Sequence, residues 1–147
     1  MSVAAKKALC AALLLPLCAA VPPALALCLD GRAPPVAQEA AAASGVVVAE
    51  VTQAELLRED PADPDGITAT LYVLKVLRTV RGALPPGLAL YSENTSARFP
   101  MEVGGRYLLL LSRDRNYRYF VDACGNSGLL SQRQEVLKTL GGPKSLP

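Results

Sequence analysis

Histidine is absent from all 147 residues, which removes the commonest general base and the commonest metal ligand. No Gly-x-Ser-x-Gly turn occurs to present a serine nucleophile. Excess charge of one sign is missing too. The whole-chain surplus of +2 is carried by Lys6 and Lys7 alone, so the rest of the chain is formally neutral. Nucleic-acid binders ordinarily carry a basic surplus. Beyond Val21, no apolar run reaches the roughly 20 residues that a bilayer span requires. These gaps argue against an enzyme, a resident metal or cofactor, a nucleic-acid partner and a membrane anchor.

What is present begins with an export signal. Lys6 and Lys7 form a positive start, an apolar run follows from Ala8 to Val21, and Pro22-Pro23 breaks it. Ala24-Leu25-Ala26 supplies a small-x-small cleavage site. The expectation is a signal peptide over residues 1–26 and one domain over residues 27–147, secreted or periplasmic and monomeric. Cys10 and Cys18 leave with the signal, and Cys28 and Cys124 remain. Two cysteines in an oxidising compartment ordinarily pair, leaving no free thiol as a nucleophile. Leu27 is the wrong residue to precede a lipid-modified cysteine, which wants a small neighbour.

"VAQEAAAA", Val36 to Ala43, is rich in helix formers and ends at Ser44-Gly45. "VVVAEVTQ", Val46 to Gln53, reads as a strand. In Thr68 to Gly82, Tyr72, Leu74, Val76 and Val80 share one face, with Arg78 interrupting, while Leu71, Val73 and Leu77 take the other. A strand this long, apolar on both faces, predicts bending through a small closed sheet. "LALYS" is a short strand, and "RYLLLLS" and "YRYFVDA" form a hairpin around Arg113 to Asn116, with Tyr117 and Tyr119 on one sheet face. Tyr107 and Leu108 to Leu111 are candidate core. Ser131 with Gln134 reads as a capping box for a last helix that Gly141 stops. The count gives a mainly β fold, a five-stranded OB-type Greek-key barrel with a short N-terminal helix and a C-terminal helix.

Three local patterns bear on binding. The acidic loop "REDPADPDG" carries Glu59, Asp60, Asp63 and Asp65 but lacks the glycine position and terminal glutamate of an EF-hand, so it reads as a solvated loop. "RDRNYRY" sets arginines beside tyrosines, as single-strand binders do, and in a neutral exported chain reads instead as a charged hairpin tip. "NTS" at Asn94 matches a glycosylation sequon, which matters only in a glycosylating host.

A leading Cys28, a helix, "VVVAEV", a long strand ending in "VRG", "FPMEVGGRYLLLL", and "CGNSG" before a helix together resemble the netrin/TIMP-like modules. These are the OB-fold domains of tissue inhibitors of metalloproteinases and their exported bacterial relatives. The resemblance covers about Cys28 to Leu140. In the inhibitors the chain starts Cys-x-Cys, and the first cysteine's α-amine and carbonyl chelate the zinc of the target protease. Here "ALCLDG" holds one cysteine, and "SENTSARFPMEVG", where the family places the first cysteine's partner, holds none. The resemblance thus implies that Cys28 stands for the second cysteine and bonds Cys124, the first position falling at Ala26. The exposed candidates for a partner surface are the loop Glu93 to Met101, with Glu93, Asn94, Arg98 and Phe99, and the acidic loop near Asp60, while an inhibitor would use the rim with Cys28, Leu29 and Asp30. The resulting expectation is a non-enzymatic interaction module for another exported protein. A metalloprotease inhibitor acting through the segment around Cys28 is the alternative, and a single-stranded nucleic-acid-binding OB domain the third reading.

Overall fold

A computed structural model describes Cys28 and residues 31–141. The described elements are α1 (Val36–Ala42), β1 (Gly45–Leu57), β2 (Ala69–Arg81), β3 (Gly87–Glu93), β4 (Arg106–Arg113), β5 (Tyr119–Phe120), β6 (Gly128–Leu129) and α2 (Gln134–Thr139). Strands β1 to β5 close into a barrel in the order β1-β2-β3-β5-β4, and β4 returns to pair with β1. The β3–β5 contact is parallel and the other ring pairings are antiparallel. This is the OB-type Greek-key barrel that the strand pattern predicts, and the signal peptide expected over residues 1–26 lies outside the described residues.

The unalternating valine and leucine runs have a direct physical cause. Val47, Ala49 and Val51 of β1 point into the barrel with Tyr107, Leu109 and Leu111 of β4. Val46, Val48, Leu108 and Leu110 point the other way, under Ala40 of α1 and Leu137 of α2. A strand covered on both faces has no solvent side, so it carries no polar alternation. The two strands run antiparallel in strict register from Gly45↔Leu111 to Glu50↔Arg106. Past that overlap the covering ends, and Thr52 to Glu55 become exposed.

β2 bends, as its length and two apolar faces predict. Its pairing with β1 shifts register between Val46 and Val47, between Val48 and Ala49, and again between Val51 and Gln53. Each irregularity adds local twist and turns the strand relative to its neighbour. The result corrects one sequence expectation. Tyr72, Leu74 and Val76 do pack inside the barrel, but Val80 leaves that face and joins the cluster under the helices. Period-two reading carries a face through a bulge as if the strand were regular, and here it is not.

The last helix also differs from expectation at its start. Residues Leu130–Gln132 make a single 3-10 turn, and Arg133 occupies the N-cap of α2 without a side-chain capping bond, its Nε donating instead to the Ser127 carbonyl at 3.1 Å. Ser131 therefore forms no capping box. Gln134 instead donates from Nε2 to the Leu130 carbonyl at 2.7 Å, bracing the 3-10 turn. Gly141, with φ 77°, ends the helix as predicted.

The segment "CGNSG" ties the two ends of the fold together. Cys124 is bonded to Cys28 across a sequence separation of 96, with Cα atoms 5.6 Å apart. Asn126 donates its backbone N–H and its Nδ2 to Glu39 Oε2 of α1, at 2.8 and 2.6 Å, and Nδ2 also reaches the Pro34 carbonyl at 2.8 Å. The buried Ser127 hydroxyl accepts the Leu110 N–H at 2.9 Å. Between them, Gly125 lies against the Glu39 carboxylate so closely that a Cβ there would collide with it.

In the chain-entropy account, a bridge closing a loop of this size stabilises the fold by about 4–5 kcal/mol, less any native strain. Cys124→Ser should therefore lower stability by about 2–5 kcal/mol, the range usual for small disulfide-linked domains. Denaturant unfolding under oxidising conditions checks this, and an unchanged midpoint would contradict it. Leu109 is fully buried in the barrel, so Leu109→Ala should cost about 2–5 kcal/mol through lost transfer energy and a residual cavity. The same titration reads it.

Candidate functional site

OB barrels bind through the face of their second and third strands and the loops after the first and fourth. In this chain those loops are the acidic segment from Arg58 to Gly66 and the turn between β4 and β5. A pocket of about 250 Å³ opens beside them, lined by Leu90 to Glu93 of β3, Thr95, Ala97 and Phe99 of the following loop, Asp114, and Phe120 to Ala123.

The loop after β3 is held in shape by its own polar side chains. Ser92 Oγ accepts the Phe99 N–H at 3.0 Å and lies 3.3 Å from its carbonyl. Asn94 donates from Nδ2 to the Ile67 carbonyl at 2.9 Å, while its Oδ1 accepts from Arg98 Nη1 at 3.2 Å. At the far end, Tyr72 Oη accepts the Met101 N–H and Tyr107 Oη the Glu102 N–H, at 3.1 and 2.9 Å. Phe99 packs edge-on to Tyr107 with centroids 6.4 Å apart. A loop satisfied in this way needs no helix or strand to stay ordered.

A polar chain crosses the mouth. Tyr91 Oη donates to Glu59 Oε2 of the acidic loop at 2.7 Å. The Arg118 guanidinium stands 3.7 Å above the Tyr91 ring centroid, a cation–π geometry. Arg118 Nε then donates to Asp114 Oδ2 at 2.7 Å. Asp114 Oδ1 also accepts the N–H groups of Asn116 and Arg118, at 2.8 and 2.9 Å, which closes the β4–β5 turn.

The turn therefore centres on Asp114 to Tyr117, one residue later than expected, and Tyr117 takes φ 61° at its tip. Tyr117 and Tyr119 do not share a sheet face. Tyr117 is 78% exposed in the turn, whereas Tyr119 packs on the barrel core with the Arg113 guanidinium 4.5 Å from its ring centroid.

These contacts move three ionisable groups. The hydrogen bond to Glu59, with burial, pushes the Tyr91 phenol above its ordinary range, and Arg118 opposes this in part. Desolvation works against the Asp114 carboxylate, yet the Arg118 N–H, its guanidinium and the Asn116 N–H outweigh it and hold the carboxyl below the usual value. The Asp114 hydrogen bond raises Arg118 in turn.

Of the residues expected at a contact surface, Cys28 is in the disulfide, and Leu29 and Asp30 lie outside the described residues. Glu93 and Phe99 both line the pocket. Asn94 and Arg98 stand on the outside of the same loop, bonded to one another. Tyr91, Asp114, Arg118 and Asp122 went unread as site residues, although the alternation of arginine and tyrosine in "RDRNYRY" was a usable signal. No family model and no curated protein sequence matches this chain.

A depressed aspartate contributes stability that is present above its unfolded pKa and lost as pH falls through its lower folded pKa. The amide resonances of Asn116 and Arg118 should thus titrate together with a midpoint below the ordinary aspartate value of about 3.9. An NMR pH series checks this. Asp114→Asn should abolish the transition.

Proposed function

We propose that the chain is an exported, TIMP-like OB-fold interaction module, non-enzymatic, whose partner is another exported protein. The observation that carries this reading is the pocket with its ordered rim. Three segments far apart in sequence, the acidic loop, the loop after β3 and the β4–β5 turn, are tied to β3 or to one another by side chains beside one concavity that the last two line. Preorganised loops on a rigid barrel lose little entropy on binding, which favours recognition of a folded partner.

The bridge between Cys28 and Cys124 supports the compartment, since such bonds persist outside reducing cytosol. Among the described residues no helix is long and apolar enough to cross a membrane. Electrostatics favour a protein over a nucleic acid. The loop carrying Glu59, Asp60, Asp63 and Asp65 would repel phosphates, and Arg113 and Arg118 are already stacked on tyrosines. The inhibitor reading requires a free α-amine on Cys28 itself, whereas the expected cut after Ala26 would leave Leu27 ahead of it.

Site-specific photocrosslinking in the producing cells tests the proposal. A photoreactive residue at Arg98, beside the pocket, should give one discrete protein adduct. The same residue at Lys138, on α2, should give none. Equal adducts from both positions, or none from either, would overturn the reading.

A further inference from the structure

We infer that the pocket beside β3 seats one lysine or arginine side chain of the partner protein; this rests on the interaction-module reading above. Its volume of about 250 Å³ falls below the roughly 300–1,000 Å³ of sites that enclose a whole small molecule. It matches a single long side chain better than a cofactor. Its walls are apolar and aromatic where a stem would lie, at Leu90, Phe99, Phe120 and Val121.

The charges on its lining have one sign. Glu93, Asp114 and Asp122 all contribute, and no lysine or arginine does. Asp114 is already neutralised by Arg118 at 2.7 Å. Glu93 is exposed and has no ion-pair partner among the described residues. Asp122 accepts only the Cys124 N–H, at 2.8 Å through Oδ1. Two carboxylates beside an apolar cleft are therefore left without a counter-charge.

The protein answers the same arrangement once with its own residues. Arg118 lies flat on Tyr91 and bonds Asp114, so an aromatic face beside a carboxylate holds a guanidinium. The pocket repeats the pairing with Tyr91, Phe99 and Phe120 beside Glu93 and Asp122, with the cation still to be supplied. Among the described residues no three acidic, histidine or cysteine side chains converge to hold a metal ion. Carboxylates spread in this way suit an elongated organic cation with an aliphatic stem, whose charge stays at the wet rim while its methylenes are buried.

The test uses the oxidised, isotope-labelled protein as recovered from its producing cells. Nα-acetyl-L-arginine amide and the lysine equivalent should shift the amides of Tyr91 to Glu93 and Val121 to Ala123 saturably. The neutral citrulline equivalent should bind several-fold more weakly. Glu93→Gln, at an exposed position that leaves the fold intact, should weaken the arginine probe by roughly three- to fivefold, the scale of a partly exposed ion pair. It should weaken the crosslinked partner by a similar factor. Equal binding of citrulline, or no shift in these amides, would overturn the inference. Unchanged partner affinity in Glu93→Gln would also overturn it while leaving the module reading in place. Binding of the arginine probe with no crosslinked partner would instead sink the module reading, and this occupant with it.

Discussion

The pairing of β1 with β4 is the contact on which the rest of the molecule depends. It closes the ring, and it is buried on both sides, with the barrel core within and two short helices without. Each leucine so buried stabilises the fold by about 1.5–3 kcal/mol relative to exposure. The pair carries eight apolar side chains with little or no exposure between Val46–Ala49 and Leu108–Leu111. Neither helix exceeds seven residues, too short to persist alone in water. Each forms because the outer side of this strand pair needs covering.

From that centre the polar contacts work outward. Ser127 accepts from the Leu110 N–H on β4, Asn126 next to it holds α1 through Glu39, and Cys124 holds Cys28. One short stretch thus fastens the amino-terminal segment, the first helix and the barrel wall together. Asp122 and Ala123, immediately before it, line the pocket. The same anchoring that secures the segment at Cys28 also fixes one side of the pocket.

The opposite side is fixed by the run from Glu59 through Tyr91 and Arg118 to Asp114. Its ionic members are partly exposed, so their value lies less in stability than in geometry. They hold two loops at a set distance across the mouth of the barrel. An exposed Tyr117 in a left-handed conformation crowns the second loop, an arrangement that a non-glycine residue adopts only when its surroundings impose it. In the proposed interaction module, rigidity here would favour selection of one partner shape over accommodation of many.

The amino-acid order by itself determined the elements and the barrel class. Uninterrupted "VVVAEV" and "YLLLL" announce core strands, the long segment from Thr68 announces a bend, and Cys28 with Cys124 announces the clasp. These are local patterns of burial and backbone preference, which neighbouring residues express together. Only the tertiary structure decided that Val80 crosses to the helix side, that Arg133 and not Ser131 begins α2, and that Tyr91, Asp114 and Asp122 meet Glu93 around a pocket. A bulge re-aims every side chain after it, and a pocket is assembled from side chains up to 33 positions apart, from Leu90 to Ala123. Such meetings depend on where the ring closes in space, and no spacing along the chain encodes that distance.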